Sequence, residues 1–192
     1  MIRIAVLGDI GSGKSYVAKQ FKYPVFNADL EVAKLYHNNR RCYLKLKKKL
    51  PNFIKNFPIQ KNNISNAILE NQNNLKEIVK IVHPEISFKM KLFLKKNKNK
   101  KIVILDIPLL IENKINKKDD ILVYVDAGQK NIKKRLKKRK NFNLKIYKRF
   151  KKIQLSVERK KRKSQFVVKN NFKPHSVKKS VKNILKKVLL YA

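Results

Sequence analysis

One cysteine, four glycines, no tryptophan and only twelve acidic residues occur in the 192-residue chain, and these scarcities narrow what it can be. Cys42 stands alone, so an intramolecular disulfide is impossible and a zinc site built on several thiolates is excluded; a reducing, cytoplasmic setting is the expectation. No apolar run approaches the roughly 20 residues that span a bilayer. The longest, residues 102–111, is interrupted by Asp106 and Pro108, so no membrane anchor is expected. Residues 1–8 hold a short apolar stretch that leads straight into a glycine turn, which reads as a strand rather than a secretory signal.

The shortage of acid leaves fifty Lys and Arg unbalanced, a formal net charge of +38. Such a charge is the electrostatic signature of a nucleic-acid binder. The excess is mostly lysine, however, spread along the chain and accompanied by many Asn and Ile, the residues of A/T-rich codons. A dedicated nucleic-acid surface is usually clustered and richer in Arg and aromatics. Compositional drift is therefore the preferred account, nucleic acid is not the expected partner, and a polyanion surface is the competing reading. Under either one, the field attracts phosphorylated small molecules.

Hydrophobic residues make up 43% of the chain, enough for one sizeable core in a single domain with a mobile insertion. Residues 2–7 are apolar and β-branched without alternation, which suits a strand buried on both faces of a parallel sheet. A glycine turn at 8–13, a helix at 14–21, a strand at 23–28 and a helix at 30–36 follow. Residues 40–74 read as an irregular, mostly helical insertion, and 75–96 as a helix with a break or kink at Pro84. Strands at 102–105 and 121–125, basic helices at 132–139 and 144–163, a short strand at 166–168 and an amphipathic helix at 177–190 complete the chain. The order predicts an α/β fold, a parallel sheet flanked by helices.

Gly8-Asp9-Ile10-Gly11-Ser12-Gly13-Lys14-Ser15 fits the phosphate-loop pattern, a glycine and four residues before Gly-Lys-Ser. Small residues let consecutive backbone N–H groups curl around phosphates, and the following helix presents its positive end. Lys14 then reaches the β- and γ-phosphates and the Ser15 hydroxyl ligates Mg2+. The pattern follows a predicted buried strand and opens a predicted helix, the context that a P-loop NTPase fold requires. Asp29 closes the second strand, where an open α/β sheet places its ligands; a helix N-cap is the bland alternative. Asp106 closes the third strand, as a Walker B-like Mg2+ holder or as the cap of the turn before Pro108. Arg135 and Arg139 fall one helical turn apart and can face one side, as a phosphate clamp or as part of a solvated basic face. The Asp-x-x-Gly switch of signalling GTPases is absent.

Taken in order, the phosphate loop, Ala28-Asp29, His83-Pro84, Pro108-Leu109-Leu110 with Glu112, Asp126-Ala127, Arg135-Leu136 with Arg139, Gln154, Lys160, and Val167-Val168 with Asn170 resemble the dephospho-CoA kinase family along nearly the whole chain. The resemblance implies ATP as co-substrate, Mg2+ as its ion and dephospho-coenzyme A as acceptor, phosphorylated at the ribose 3′-hydroxyl. It implies a nucleotide-binding core at about 1–28, 101–128 and 164–192, a helical acceptor region at about 29–100 and a basic lid at about 129–163. It implies catalytic roles for Lys14, Asp29 and Arg139, nucleotide contacts from Gly11, Ser12, Gly13, Lys14, Ser15, Tyr16, Arg135 and Asn170, and Mg2+ contacts from Ser15 and Asp106. Asn170 is implied in adenine contact, with a plain turn residue as the alternative. His83 reads as a structural turn histidine, since this transfer requires no imidazole.

The chain departs from the family pattern at several points. Asn27 replaces the first carboxylate of an Asp-Ala-Asp, Asp9 stands where glycine is common, Tyr16 replaces a Thr, Ser65-Asn66 replaces an Asp-Arg pair, and Gln165 and Lys169 replace aspartates. The competing functions are a nucleoside or nucleotide kinase of the same fold and a basic nucleic-acid-binding protein that keeps a P-loop.

Overall fold

A computed structural model describes residues 1–139 and 142–190, and the chain divides into two compact units. The first, Met1–Asn27 with Asn97–Ala192, is built on a five-stranded sheet. Its strands are β1 (Ile2–Gly8), β2 (Val25–Asn27), β3 (Ile102–Asp106), β4 (Ile121–Asp126) and β5 (Phe166–Lys169). They lie in the order β2-β3-β1-β4-β5, with every neighbouring pair parallel. All of β3 and nearly all of β1 are buried, as their unbroken apolar sequences demand of strands covered on both faces. Helices α1 (Lys14–Gln20) and α9 (Pro174–Leu190) supply part of that cover. Val17 and Ala18 of α1 share one core with Val177, Val181, Ile184 and Val188, the apolar stripe of α9. Beside that core Arg3 and Asp120 form a buried two-toothed ion pair, with distances of 2.8 and 2.9 Å. Because β1 and β3 are adjacent and parallel, the loops leaving their carboxyl ends emerge side by side.

Three short helices follow β4: α6 (Gln129–Lys137), α7 (Leu144–Ile153) and α8 (Val157–Lys163). The helix expected over 144–163 is thus two. Gln154 turns extended after α7, and the Ser156 side chain caps α8 by accepting from the Arg159 N–H at 3.3 Å. The helix expected over 132–139 ends at Lys137, where the Arg139 N–H closes a short turn on the Leu136 carbonyl at 3.0 Å.

The second unit, Ala28–Lys96, contains α2 (Ala28–Asn38), α3 (Arg40–Lys49), α4 (Lys61–Glu70) and α5 (Gln72–Lys96). Leu35, Cys42, Leu46, Ile54, Ile64, Ala67, Ile78 and Val82 are among its buried residues. Asn39 caps α3 by accepting from the Cys42 N–H at 2.7 Å. Two expectations are corrected here. The break considered at Pro84 does not occur, since α5 runs on through it: proline removes one donor, while the buried face carried by Ile78 and Val82 keeps the segment helical on either side. His83, expected in a turn, is an exposed residue of that helix.

Candidate active site

The phosphate loop runs from the end of β1 to the start of α1. Glycine is required where the chain doubles back on itself. At Gly8 a Cβ would stand 2.6 Å from the Ser12 hydroxyl and 2.9 Å from the Val125 carbonyl oxygen. Gly13 precedes α1 at φ 93°, in the left-handed region, where side chains are strained. The Ser12 N–H bonds the Asp9 carbonyl at 3.1 Å and closes the turn. Lys14 Nζ donates to the carbonyls of Gly8 at 3.1 Å and Asp9 at 3.0 Å, so its ammonium lies against the loop that would hold phosphates.

Ser15 and Asp106, two residues singled out in the sequence, are joined by a third that was read only as a substitution. The β2–β3 register sets Asn27 beside Asp106. Asn27 Nδ2 donates to Asp106 Oδ2 at 2.5 Å and lies 3.5 Å from Ser15 Oγ. Asp106 is buried, so the amide fixes its orientation. One hydroxyl and one carboxylate suit Mg2+, which draws most of its ligands from nucleotide phosphates and water. Among the described residues no group of three or more His, Cys, Asp or Glu gathers into a self-sufficient metal cage.

On the other flank of the loop, buried Asn170 donates from Nδ2 to the Ser12 carbonyl at 2.8 Å. Its own N–H reaches the Asp126 carbonyl at 2.7 Å, and its Oδ1 accepts from Phe172 N–H at 2.9 Å. Asn170 therefore braces the loop and shapes the turn after β5 together. The Arg135 guanidinium stacks on Phe172 at 5.2 Å from the ring centroid, and its Nη1 lies 3.2 Å from where a Cβ on Gly13 would be. Arg135 thus borders the loop. Arg139 lies beyond the end of α6 and is exposed, so it does not share a helical face with Arg135 as the spacing suggested. Tyr16 is half-buried against the sheet core. Asp29 lies in the first turn of α2, inside the helix rather than at its N-cap, because α2 begins at Ala28.

Sequence reasoning did not foresee the surroundings of Asp9. Its Oδ2 accepts from Lys151 Nζ at 2.6 Å and Gln129 Nε2 at 3.2 Å, and its Oδ1 from Lys160 Nζ at 3.2 Å. Lys160 is 3% exposed and also lies 3.8 Å from Glu112, whose Oε1 accepts from the Leu155 N–H at 2.9 Å. Burial works against ionisation of Asp9, yet the Lys151 and Lys160 ammoniums and the Gln129 amide outweigh it, and its pKa falls below the ordinary 3.8. A cleft beside the loop is lined by Gly8, Lys14, Leu110, Glu112, Gln154 and Lys160 among others. Glu112, Gln154 and Lys160 were visible in the sequence as landmarks without assigned roles.

A family model described as dephospho-CoA kinase matches residues 2–175. The chain is 30% identical over 187 residues to the dephospho-CoA kinase of Wolbachia sp. subsp. Brugia malayi, covering 95% of each. It is 30% identical over 191 residues to that of Bartonella henselae, covering 97% of each. Among solved structures, TT1252 from Thermus thermophilus aligns over 99% of this chain and 97% of its own, with a TM-score of 0.77 and 24% identity. The dephospho-CoA kinase from Campylobacter jejuni aligns over 97% and 96%, with a TM-score of 0.64 and 19% identity. These two likenesses support the fold.

Proposed function

The chain belongs to the dephospho-CoA kinase family, and from that membership we propose that its phosphate loop and Asp29 together transfer the γ-phosphate of ATP to the ribose 3′-hydroxyl of dephospho-coenzyme A. The acceptor oxygen forms a bond to the γ-phosphorus as the bond to the β-phosphate bridging oxygen breaks. The hydroxyl proton passes to Asp29, and ADP and coenzyme A leave. The observation that carries the reading is the convergence at the ends of β1, β2 and β3: Lys14 lies against the loop carbonyls while Asn27 links Ser15 to Asp106.

Gly11, Ser12, Gly13, Lys14, Ser15 and Tyr16 surround the nucleotide phosphates in this account. The Lys14 ammonium exchanges its two carbonyl partners for β- and γ-oxygens, which present more negative charge. Arg135, already beside Gly13, adds charge at the phosphates, and Arg139 approaches them when the lid segment closes. Asn170 keeps the loop in its phosphate-ready form and contacts the adenine side of the nucleotide. Ser15 and Asp106 hold Mg2+, which supplies charge neutralisation on the phosphate oxygens. Asp29, two residues beyond Asn27 in the chain, orients the acceptor hydroxyl and accepts its proton.

Residues 28–96 serve as the acceptor-binding part and α6 to α8 as the lid. No helix of the described residues is long and apolar enough to cross a membrane, and the cytoplasm is the proposed setting. The test is ADP release with Mg2+ and a panel of acceptors. Dephospho-coenzyme A should be strongly preferred over nucleosides and nucleoside monophosphates; equal or better turnover of a nucleoside would overturn the acceptor assignment.

A further inference from the structure

The Asp9 side chain has no role in the proposed transfer, yet it is among the most heavily bonded side chains of the site. Its carboxylate gathers Lys151 from α7, Lys160 from α8 and Gln129 from the start of α6. Its main-chain carbonyl holds Lys14. Three ammonium groups thus converge on a single loop residue, and Glu112 is the second carboxylate beside them.

The lysines differ in a way that bears on their use. Lys160 is buried and held between Asp9 and Glu112, and Glu112 is itself fixed by the Leu155 N–H. Lys151 keeps 37% of its side chain exposed. Lys160, Glu112, Gly8 and Lys14 line the same cleft beside the phosphate loop. A buried cation costs desolvation energy, and carboxylates alone recover it poorly. A cation held at the rim of a phosphate site acquires a further partner on each catalytic cycle and needs little reorganisation to meet it.

We infer that Asp9 is a positioning residue that holds the ammonium groups of Lys151 and Lys160 at the phosphate loop, where they act as further cations for the γ-phosphate of the bound nucleoside triphosphate. The inference rests on the phosphate-loop reading above. An ion pair that merely ties α7 and α8 to the loop would affect folding and all nucleotides alike. Cations aimed at the γ-phosphate affect ligands that carry one.

The experiment is calorimetric binding of a non-hydrolysable ATP analogue and of ADP, in Mg2+ buffer, to the full chain and its variants. Lys160→Met should weaken the analogue by about tenfold or more, the scale of a lost charge-assisted bond, while ADP changes by less than about threefold. Asp9→Asn should shift the analogue in the same direction by a smaller factor, and Lys160→Arg should recover most of the loss. Lys152→Met, at an exposed neighbour on α7, controls for the general positive field and should leave both ligands unchanged. Should Lys160→Met not fold, Lys151→Met carries the same comparison on a partly exposed side chain. Equal losses for analogue and ADP, or none, in folded variants would overturn the inference while leaving the kinase reading in place. A wild-type chain that neither binds the analogue nor phosphorylates dephospho-coenzyme A would overturn both.

Discussion

Asn27 and Asp106 face each other across β2 and β3, and the amide of the first donates to the carboxylate of the second at 2.5 Å. The amide neutralises no charge, but it fixes the carboxylate and leaves one negative group beside Ser15. Asn27→Asp should place two carboxylates in contact, a repulsion that a divalent cation relieves. The expected result is a melting temperature below wild type in chelator and a larger gain on adding Mg2+ than wild type shows. Thermal unfolding with and without Mg2+ checks this, and equal gains would remove Mg2+ from the neighbourhood of Asp106.

Asp29 stands in the first turn of α2, so Asp29→Asn removes a charge that favours the helix dipole, at a cost of about 0.3–1 kcal/mol. As the acceptor-facing base its loss should lower turnover roughly 100-fold or more. Turnover and thermal unfolding measured side by side separate the two. A small stability loss with unchanged turnover would return Asp29 to a purely helical role.

Arg135 lies beside Gly13 and on Phe172, whereas Arg139 lies beyond the end of α6. Arg135→Ala should therefore raise the KM for ATP, and Arg139→Ala should lower kcat more than it raises KM, since its contact forms on closure. Steady-state kinetics of both variants provide the check; an unchanged kcat for Arg139→Ala would place Arg139 on the solvated face.

Asp9 faces Lys151, Lys160 and Gln129 through its carboxylate and Lys14 through its carbonyl, with Glu112 behind Lys160. Its folded pKa is lowered from 3.8, so its contribution to stability is fully present above about pH 4 and is lost as the pH falls through the folded value. Asp9→Asn removes that contribution. Melting temperatures recorded between about pH 3 and pH 7 should show the wild-type advantage over Asp9→Asn shrinking toward the acid end; a constant difference would contradict the assigned ionisation.

The parts of this site that follow one another in sequence were legible there. Residues 2–7 could be read as a buried strand entering a phosphate loop because a strand covered on both faces is apolar throughout and the glycines mark where the chain must turn tightly. Asp106 could be placed at a strand end for the same reason. Asp9 could not be read, because its side-chain partners lie 120, 142 and 151 residues away and nothing local distinguishes those lysines from many others. Asn27 looked like a lost carboxylate because its role depends on the register with β3. The continuity of α5 through Pro84 and the break between α7 and α8 reflect packing and a serine cap that override simple periodicity.

The central claim is transfer of the terminal phosphate of ATP to dephospho-coenzyme A on the loop that carries Lys14. The direct measurement is transfer of label from γ-labelled ATP to dephospho-coenzyme A, with the product identified as the 3′-phosphate by phosphorus NMR. Wild type should give one labelled coenzyme A for each ADP formed, and folded Lys14→Ala should lose at least about 100-fold in rate. ADP formed without labelled coenzyme A, or an undiminished rate in folded Lys14→Ala, would contradict the account.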